Sequence, residues 1–164
     1  MIILGIDGSL RGTGLAVIDW EGNHGRALHG EVVRVPAKEL HSECLRRIRE
    51  RVEALIAEYG VEAAALEAGF CFRNAKTSLV LGEVRGVAIS SCAAAGVPIC
   101  EYAPSRAKQN VTGWGKAPKD QVARMAMLLL GMAPGEMDDN ITDAYAIALC
   151  HAHGLKGVAP PEPL

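Results

Sequence analysis

Ile2-Ile3-Leu4-Gly5-Ile6-Asp7-Gly8-Ser9-Leu10-Arg11-Gly12-Thr13-Gly14-Leu15-Ala16-Val17-Ile18-Asp19 is the stretch on which the fold turns. Ile2 to Ile6 have the length and β-branched content of a core strand, Gly8, Gly12 and Gly14 permit a tight reversal, and Leu15 to Ile18 read as the returning strand. Asp7 therefore stands at or near the end of a buried strand. A carboxylate there needs hydrogen-bond donors or a metal ion to offset its burial. Taken alone, the hairpin assigns Asp7 to capping the turn through the amides of Gly8 and Ser9.

Outward from the hairpin, Asp19 to Asn23 read as a turn and Gly30 to Val35 as a third strand ending before Pro36, which completes an opening three-stranded meander. From Lys38 to Tyr59 the spacing becomes helical. Leu40, Cys44, Leu45, Ile48, Val52, Leu55 and Ile56 fall on one face, opposite Arg46, Arg47, Arg49, Glu50 and Glu53. Gly60 ends that helix, and Val61 to Glu67 read as a short buried strand with Glu67 at its exit. Ala68 to Lys76 form a loop carrying two aromatics and two cations. A helix of small residues follows from Thr77 to Ala95, with Gly82 and Gly86 as a close-packing surface. Gly96 to Tyr102 give a further strand. Ala103 to Lys119, polar, basic and glycine-containing, read as a loop used for binding. The last two helices run from Lys119 or Asp120 to Leu130 and from Asp138 or Asp139 to about His151, the latter with acids that suit its N-terminal dipole.

The 164 residues fit one domain, residues 1–153, with 154–164 as a flexible tail. Aromatics are only 4% of a chain that is 49% apolar, so the core must be aliphatic, which suits helices packed closely on a sheet. No apolar run approaches a membrane span, and the expectation is a cytoplasmic protein without a membrane partner. The five cysteines, Cys44, Cys71, Cys92, Cys100 and Cys150, lack C-x-x-C spacing and read as buried reduced thiols. His151 and His153, two apart on a helix, do not face together and are poor metal ligands.

Three acids now have unusual placements: Asp7 and Glu67 at strand ends, and Asp143 in the apolar run Ile141 to Leu149. Brought together at a sheet edge they would repel unless divalent cations neutralised them, and an oxygen-only donor set suits Mg²⁺ or Mn²⁺. Two such ions about 4 Å apart activate a water and stabilise the leaving oxygen in phosphodiester hydrolysis. Spacing alone leaves a second reading open, in which Asp7 caps its turn, Glu67 pairs with a lysine and Asp143 is an early-helix residue.

Four segments together resemble one family. They are I-D-G-S-L-R-G-T-G-L-A-V-I at the start, L-E-A-G-F-C-F-R-N-A-K-T-S-L-V-L-G-E-V-R-G-V-A-I, P-S-R-A-K-Q-N-V-T-G-W-G-K-A-P-K-D-Q-V and N-I-T-D-A-Y-A-I-A. In this order they resemble the RuvC-type Holliday junction resolvases, over almost the whole domain. The resemblance implies an α/β fold of ribonuclease H-like type: a mixed central sheet, an opening antiparallel three-strand meander and helices on both faces. It also implies a homodimer acting on branched DNA, with 3′-hydroxyl and 5′-phosphate products and Mg²⁺ or Mn²⁺ as cofactor, two ions per site. By the same resemblance Asp7, Glu67 and Asp143 match metal ligands, Phe70 matches an aromatic wedge at the crossover, and Lys108 and Lys119 match cations facing the scissile backbone. The helix from Thr77 matches the dimer helix.

This chain departs from the family pattern twice. The fourth ligand position falls on Asn140, an uncharged donor, with Asp139 one turn before Asp143 as the reserve candidate. Gly8 replaces the usual proline, a pattern similar to shorter phage-type members of the family, which leaves cleavage-sequence preference and dependence on a branch-migration partner open. Although the chain's net charge is −2, Arg73 to Arg124 carry a net charge of +5, so a basic face toward phosphates is expected. Arg73, Asn74, Lys76, Arg106, Lys108, Lys116 and Lys119 are its candidate DNA contacts, with Trp114 either stacking on a base or pinning its loop. Two rival functions remain. One is a junction-binding module with an impaired site; the other is a nucleotide-binding domain of the actin and sugar-kinase type, suggested by Asp7-Gly8-Ser9 with Thr13-Gly14.

Overall fold

The structure is a computed structural model that describes residues 1–69, 74–133, 135–154 and 161–164. Five strands form one sheet in the order β3-β2-β1-β4-β5, comprising β1 (Ile2–Asp7), β2 (Gly12–Glu21), β3 (His24–Arg34), β4 (Ala63–Glu67) and β5 (Ile99–Tyr102). The meander β1-β2-β3 is antiparallel, whereas β4 and β5 add in parallel to β1, so the sheet is mixed as expected.

Because side chains alternate across a strand, β1 and β4 each feed two cores. Leu4, Ile6, Ala64 and Leu66 face α1 (His41–Tyr59) and α2 (Ala75–Ala94). Ile3 and Ala65 face the layer of α3 (Pro104–Thr112), α4 (Lys119–Leu129) and α5 (Asp139–Gly154). Helices thus cover both faces. None of the described helices is long and apolar enough to cross a membrane.

Helix α5 lies against the sheet almost backbone to backbone. A Cβ added to Gly5 would run into the carbonyl oxygen of Ala144, and one on Gly14 into that of Asn140. Glycine at these two positions is what lets α5 sit so low, with every residue from Ala144 to Ala152 buried.

Four expectations need correction. Asp19 and Trp20 belong to β2, and the turn is only Gly22 and Asn23, where Gly22 takes a φ of 55°; Trp20 is buried against α5 because the strand carries it there. The first helix begins at His41 rather than Lys38, and Leu40 is its N-cap, 71% exposed instead of on the apolar face. The third strand starts earlier, at His24. The stretch after Tyr102 is not all loop. Pro104 occupies the first turn of α3, where its missing N–H costs nothing, Ala107 and Val111 bury one i,i+4 edge, and Gly113 closes the helix at φ 79°.

Helix α2 starts at Ala75, two residues before the expected Thr77, with Asn74 as its cap. The expected helices at Lys119 and Asp139, and the helix end at Gly60, stand as read. Cys44, Cys92, Cys100 and Cys150 are buried free thiols, while Cys71 lies outside the described residues. Near the C-terminus, the Leu164 amide donates to the Ile99 carbonyl at 3.0 Å and the Cys100 thiol to the Pro161 carbonyl at 3.2 Å, on β5.

Candidate active site

Asp7 is not the cap of its turn. The Ser9 amide instead meets the buried Thr13 hydroxyl at 3.3 Å, and that hydroxyl donates to the Ser9 carbonyl, so the hairpin closes on itself. Asp7 shares the strand face of Ile3 and Gly5, and Glu67 that of Ala65, so both acids rise on the α5 side of adjacent parallel strands whose register pairs Ile6 with Leu66. Asp143 descends from the first turns of α5, the helix that Gly5 and Gly14 admit so close.

The consequence is electrostatic. Burial, reinforced by the charges of Glu67 and Asp143, pushes the Asp7 carboxyl up from 3.8 to about 7, against the pull of Lys119. Glu67 is raised too, first by burial and then by Asp143, while Lys108, Lys119 and a hydrogen bond to Asp7 oppose the rise. The hydrogen bond between the two places the proton on Asp7: it adds to the rise of Asp7 and holds back that of Glu67, which burial and Asp143 cause. Lys119 stands across this group, with Nζ 3.1 Å from Asp139 Oδ2 and 3.4 Å from Asp143 Oδ2. Burial disfavours its charge, yet its hydrogen bonds and the two aspartates outweigh that and hold the ammonium above its ordinary pKa. Glu67, Lys108 and Asp143 also line one small cleft of about 90 Å³, floored by Pro104, Ala107, Ala146 and Ile147.

Among the described residues, no three His, Cys, Asp or Glu side chains are grouped so that they could hold a metal ion as they stand. The donor chemistry nevertheless fits a hard divalent cation: the donors are all oxygens, and burial with the neighbouring acids raises the Asp7 carboxyl to about 7. Asn140 sits beside the hairpin, its amide donating to Asp138 Oδ1 at 2.9 Å and its Nδ2 lying 3.6 Å from the Cβ position of Gly12. Lys119 thus gathers Asp139, not Asn140, with Asp143.

The expected DNA contacts are spread more widely. Phe70 and Arg73 lie outside the described residues. Asn74 spends its side-chain oxygen on the Lys76 amide as the cap of α2, and Lys76 itself is exposed. Arg106 stacks over the Tyr102 ring at 5.5 Å, while Lys116 and Trp114 are exposed on the connection between α3 and α4. Arg85, one of the cations of the basic half, faces away from this surface toward the main chain of Glu67. No sequence signal sets Arg85 apart from Lys76 and Glu83 on the same helix.

A five-stranded mixed sheet covered by helices on both faces, with acids at the exits of β1 and β4 and on the final helix, is a ribonuclease H-like nuclease architecture. Residues 3–151 match the family described as Crossover junction endodeoxyribonuclease RuvC. Proteins of that description from Halorhodospira halophila and Heliobacterium modesticaldum are 43% and 41% identical, over 92% and 97% of this chain and 89% and 99% of their own. The structure of Thermus thermophilus RuvC in complex with Holliday junction substrate superposes with a TM-score of 0.93 at 34% identity, covering 100% of this chain and 99% of that one. The chain belongs to the RuvC family of crossover junction endodeoxyribonucleases.

Proposed function

We propose that this chain resolves four-way DNA junctions by paired nicks, with Asp7, Glu67 and Asp143 as its metal-binding acids. The observation that carries the reading is their mutual coupling at one sheet edge, within reach of Lys108 and Lys119. When bound there, Mg²⁺ or Mn²⁺ supplies an activated water and charge neutralisation at the phosphate. Glu67 and Asp143 would hold the cation through anionic oxygens, as would Asp7 in its ionised form. Lys108 and Lys119 meet the scissile phosphate from the α3 and α4 side, and Lys119 exchanges its aspartates for that phosphate as DNA arrives. Arg106, Lys116 and Trp114 extend the surface beyond the cleft, and Phe70 and Arg73 are assigned to the junction by the family resemblance alone.

The partner surface proposed for a homodimer is α2. Leu79 is 70% exposed there, and Gly82 and Gly86 have nothing within 4 Å of their Cβ positions, which leaves a smooth apolar stripe. A two-fold dimer through it presents two sites to opposing strands. Gly82→Glu should leave the circular dichroism spectrum and thermal midpoint intact, while sedimentation velocity shows a shift from dimer to monomer. The reduced, buried thiols fit a cytoplasmic location, which belongs to the same proposal.

Incubation of the protein with an end-labelled four-way junction and Mg²⁺ or Mn²⁺ tests the assignment. Symmetric nicks in opposing strands are expected. Tight binding without nicking in either metal would instead favour a junction-binding module, the reading that the uncharged Asn140 keeps open. Two substitutions address the fourth ligand. If Asn140 is a ligand, Asn140→Asp lowers the Mg²⁺ needed for half-maximal cleavage several-fold. If Asp139 fills that role, Asp139→Asn raises the requirement and Asn140→Asp changes little.

A further inference from the structure

The strand end that carries Glu67 is held from behind the sheet. Arg85 lies on α2, on the face opposite Asp7 and Asp143, and its Nη1 donates to the main-chain carbonyl of Glu67 itself at 2.7 Å. The other end of the guanidinium is ion-paired with Glu101 on β5. Glu101 is next to β4 in register, paired with Leu66, and alternation turns its side chain toward α2. Both side chains are largely buried, at 21% and 24% exposure, and burial lowers the arginine's pKa, so the pair is desolvated rather than a loose surface contact. The same guanidinium packs on the next turn of chain, where a Cβ on Gly69 would come 3.2 Å from Arg85 Nε. Arg85 and Leu81 of α2 line a cavity of about 50 Å³ with Gly8, Leu66, Glu67, Ala68 and Gly69, so it reaches the exits of both acid-bearing strands.

We infer that Arg85, locked by Glu101, is a positioning residue that fixes the exit of β4 and thereby the carboxylate of Glu67 for its cation. This rests on the reading of Glu67 as a metal ligand. At the exit of β4 the Ala68 amide makes the last bond to β5, to the Tyr102 carbonyl at 2.9 Å, and the Glu67 carbonyl is taken by a charged donor, Arg85. A guanidinium holds the carbonyl and the carboxylate on separate nitrogens of one rigid plane; an ammonium can bridge two oxygens but without that fixed fork. Arg85 rides on the helix with the exposed Leu79 and Gly82 stripe, so it links that surface of α2 to the main chain of Glu67.

The test compares wild type, Arg85→Met, Arg85→Lys and the double variant Arg85→Met with Glu101→Gln. Each is read three ways: thermal midpoint, calorimetric Mn²⁺ affinity of the DNA-free protein, and single-turnover junction cleavage with protein in excess. Arg85→Met leaves the Glu101 carboxylate buried without its partner, so it should lose stability as well as function. The double variant removes that stranded charge and should recover most of the thermal midpoint. It should nevertheless bind Mn²⁺ at least five-fold more weakly and cleave at least ten-fold more slowly, with junction affinity by gel shift within about two-fold of wild type. Arg85→Lys should fall between. If Mn²⁺ affinity and cleavage return with stability in the double variant, Arg85 is a packing residue and the inference is overturned. If the wild-type protein binds Mn²⁺ but does not cut junctions, the functional reading fails, while the Mn²⁺ series still decides for or against Arg85.

Discussion

Asp7→Asn is expected to abolish junction cleavage, by three orders of magnitude or more, while making the protein more stable at pH 8. The two effects have one cause. Burial and the charges of Glu67 and Asp143 hold the Asp7 carboxyl at about 7 in the folded protein, against 3.8 ordinarily. A group whose folded pKa is raised stabilises the fold fully below its unfolded pKa, and that contribution is lost as pH rises through the folded value. Above about pH 7 the wild type therefore carries an ionised carboxylate among other acids, and asparagine removes the charge but keeps a hydrogen-bond donor for Glu67. A rise of that size would formally correspond to about 4 kcal/mol; relaxation around a partly solvated, coupled group makes about 1 to 3 kcal/mol the reasonable expectation. Denaturant melts from pH 4 to pH 9 should show the two proteins diverging between pH 4 and 7 and running parallel above. Added Mg²⁺ should stabilise the wild type and do little for the variant. Retained cleavage would remove Asp7 from the site, and a pH-independent stability difference would remove the proposed proton.

Gly14→Ala should damage the molecule more than any substitution of an exposed residue. The added methyl meets the Asn140 backbone, which belongs to a helix and cannot swing aside as a side chain would. Either α5 lifts or β2 bends, and Asp143 moves with α5 in the first case. A cost of about 2 to 4 kcal/mol is expected from overpacking of this kind, with cleavage falling further than stability because the acids separate. Gly5→Ala, against Ala144, should behave alike. Gly135→Ala, with open space at its Cβ position, is the control and should change the thermal midpoint by no more than a degree or two. If Gly14→Ala were equally mild, the close approach of α5 would not be what sets the height of Asp143.

The acids were legible because each broke a local rule. A carboxylate at the end of Ile2 to Ile6, another after Ala63 to Leu66, and a third within Ile141 to Leu149 all contradict the apolar pattern around them, and a contradiction of that kind marks a site. Helix α3 was illegible for the opposite reason. Only Ala107 and Val111 are buried along it, too weak a stripe to show periodicity, and its proline looked like a loop residue when it is a helix starter. Leu40 misled because hydrophobicity does not say which side of a helix start a residue lies on. Asn140 was legible as a substitution in the family pattern, yet the Lys119 bridge between Asp139 and Asp143 is a tertiary fact no spacing contains. Arg85 belongs to the same class, since its partners come from β4 and β5.

The acids sit at positions 7, 67 and 143, on β1, β4 and α5, so the cluster exists only when the two ends of the chain have met. During synthesis the hairpin, α1 and β4 leave the ribosome long before Asp143 does, and contacts of such sequence separation form late. A nascent or truncated chain lacking α5 therefore has two neighbouring carboxylates and no third to complete them. If these three acids are the metal ligands proposed above, a DNA-cutting enzyme wired in this way stays inert until α5 has docked.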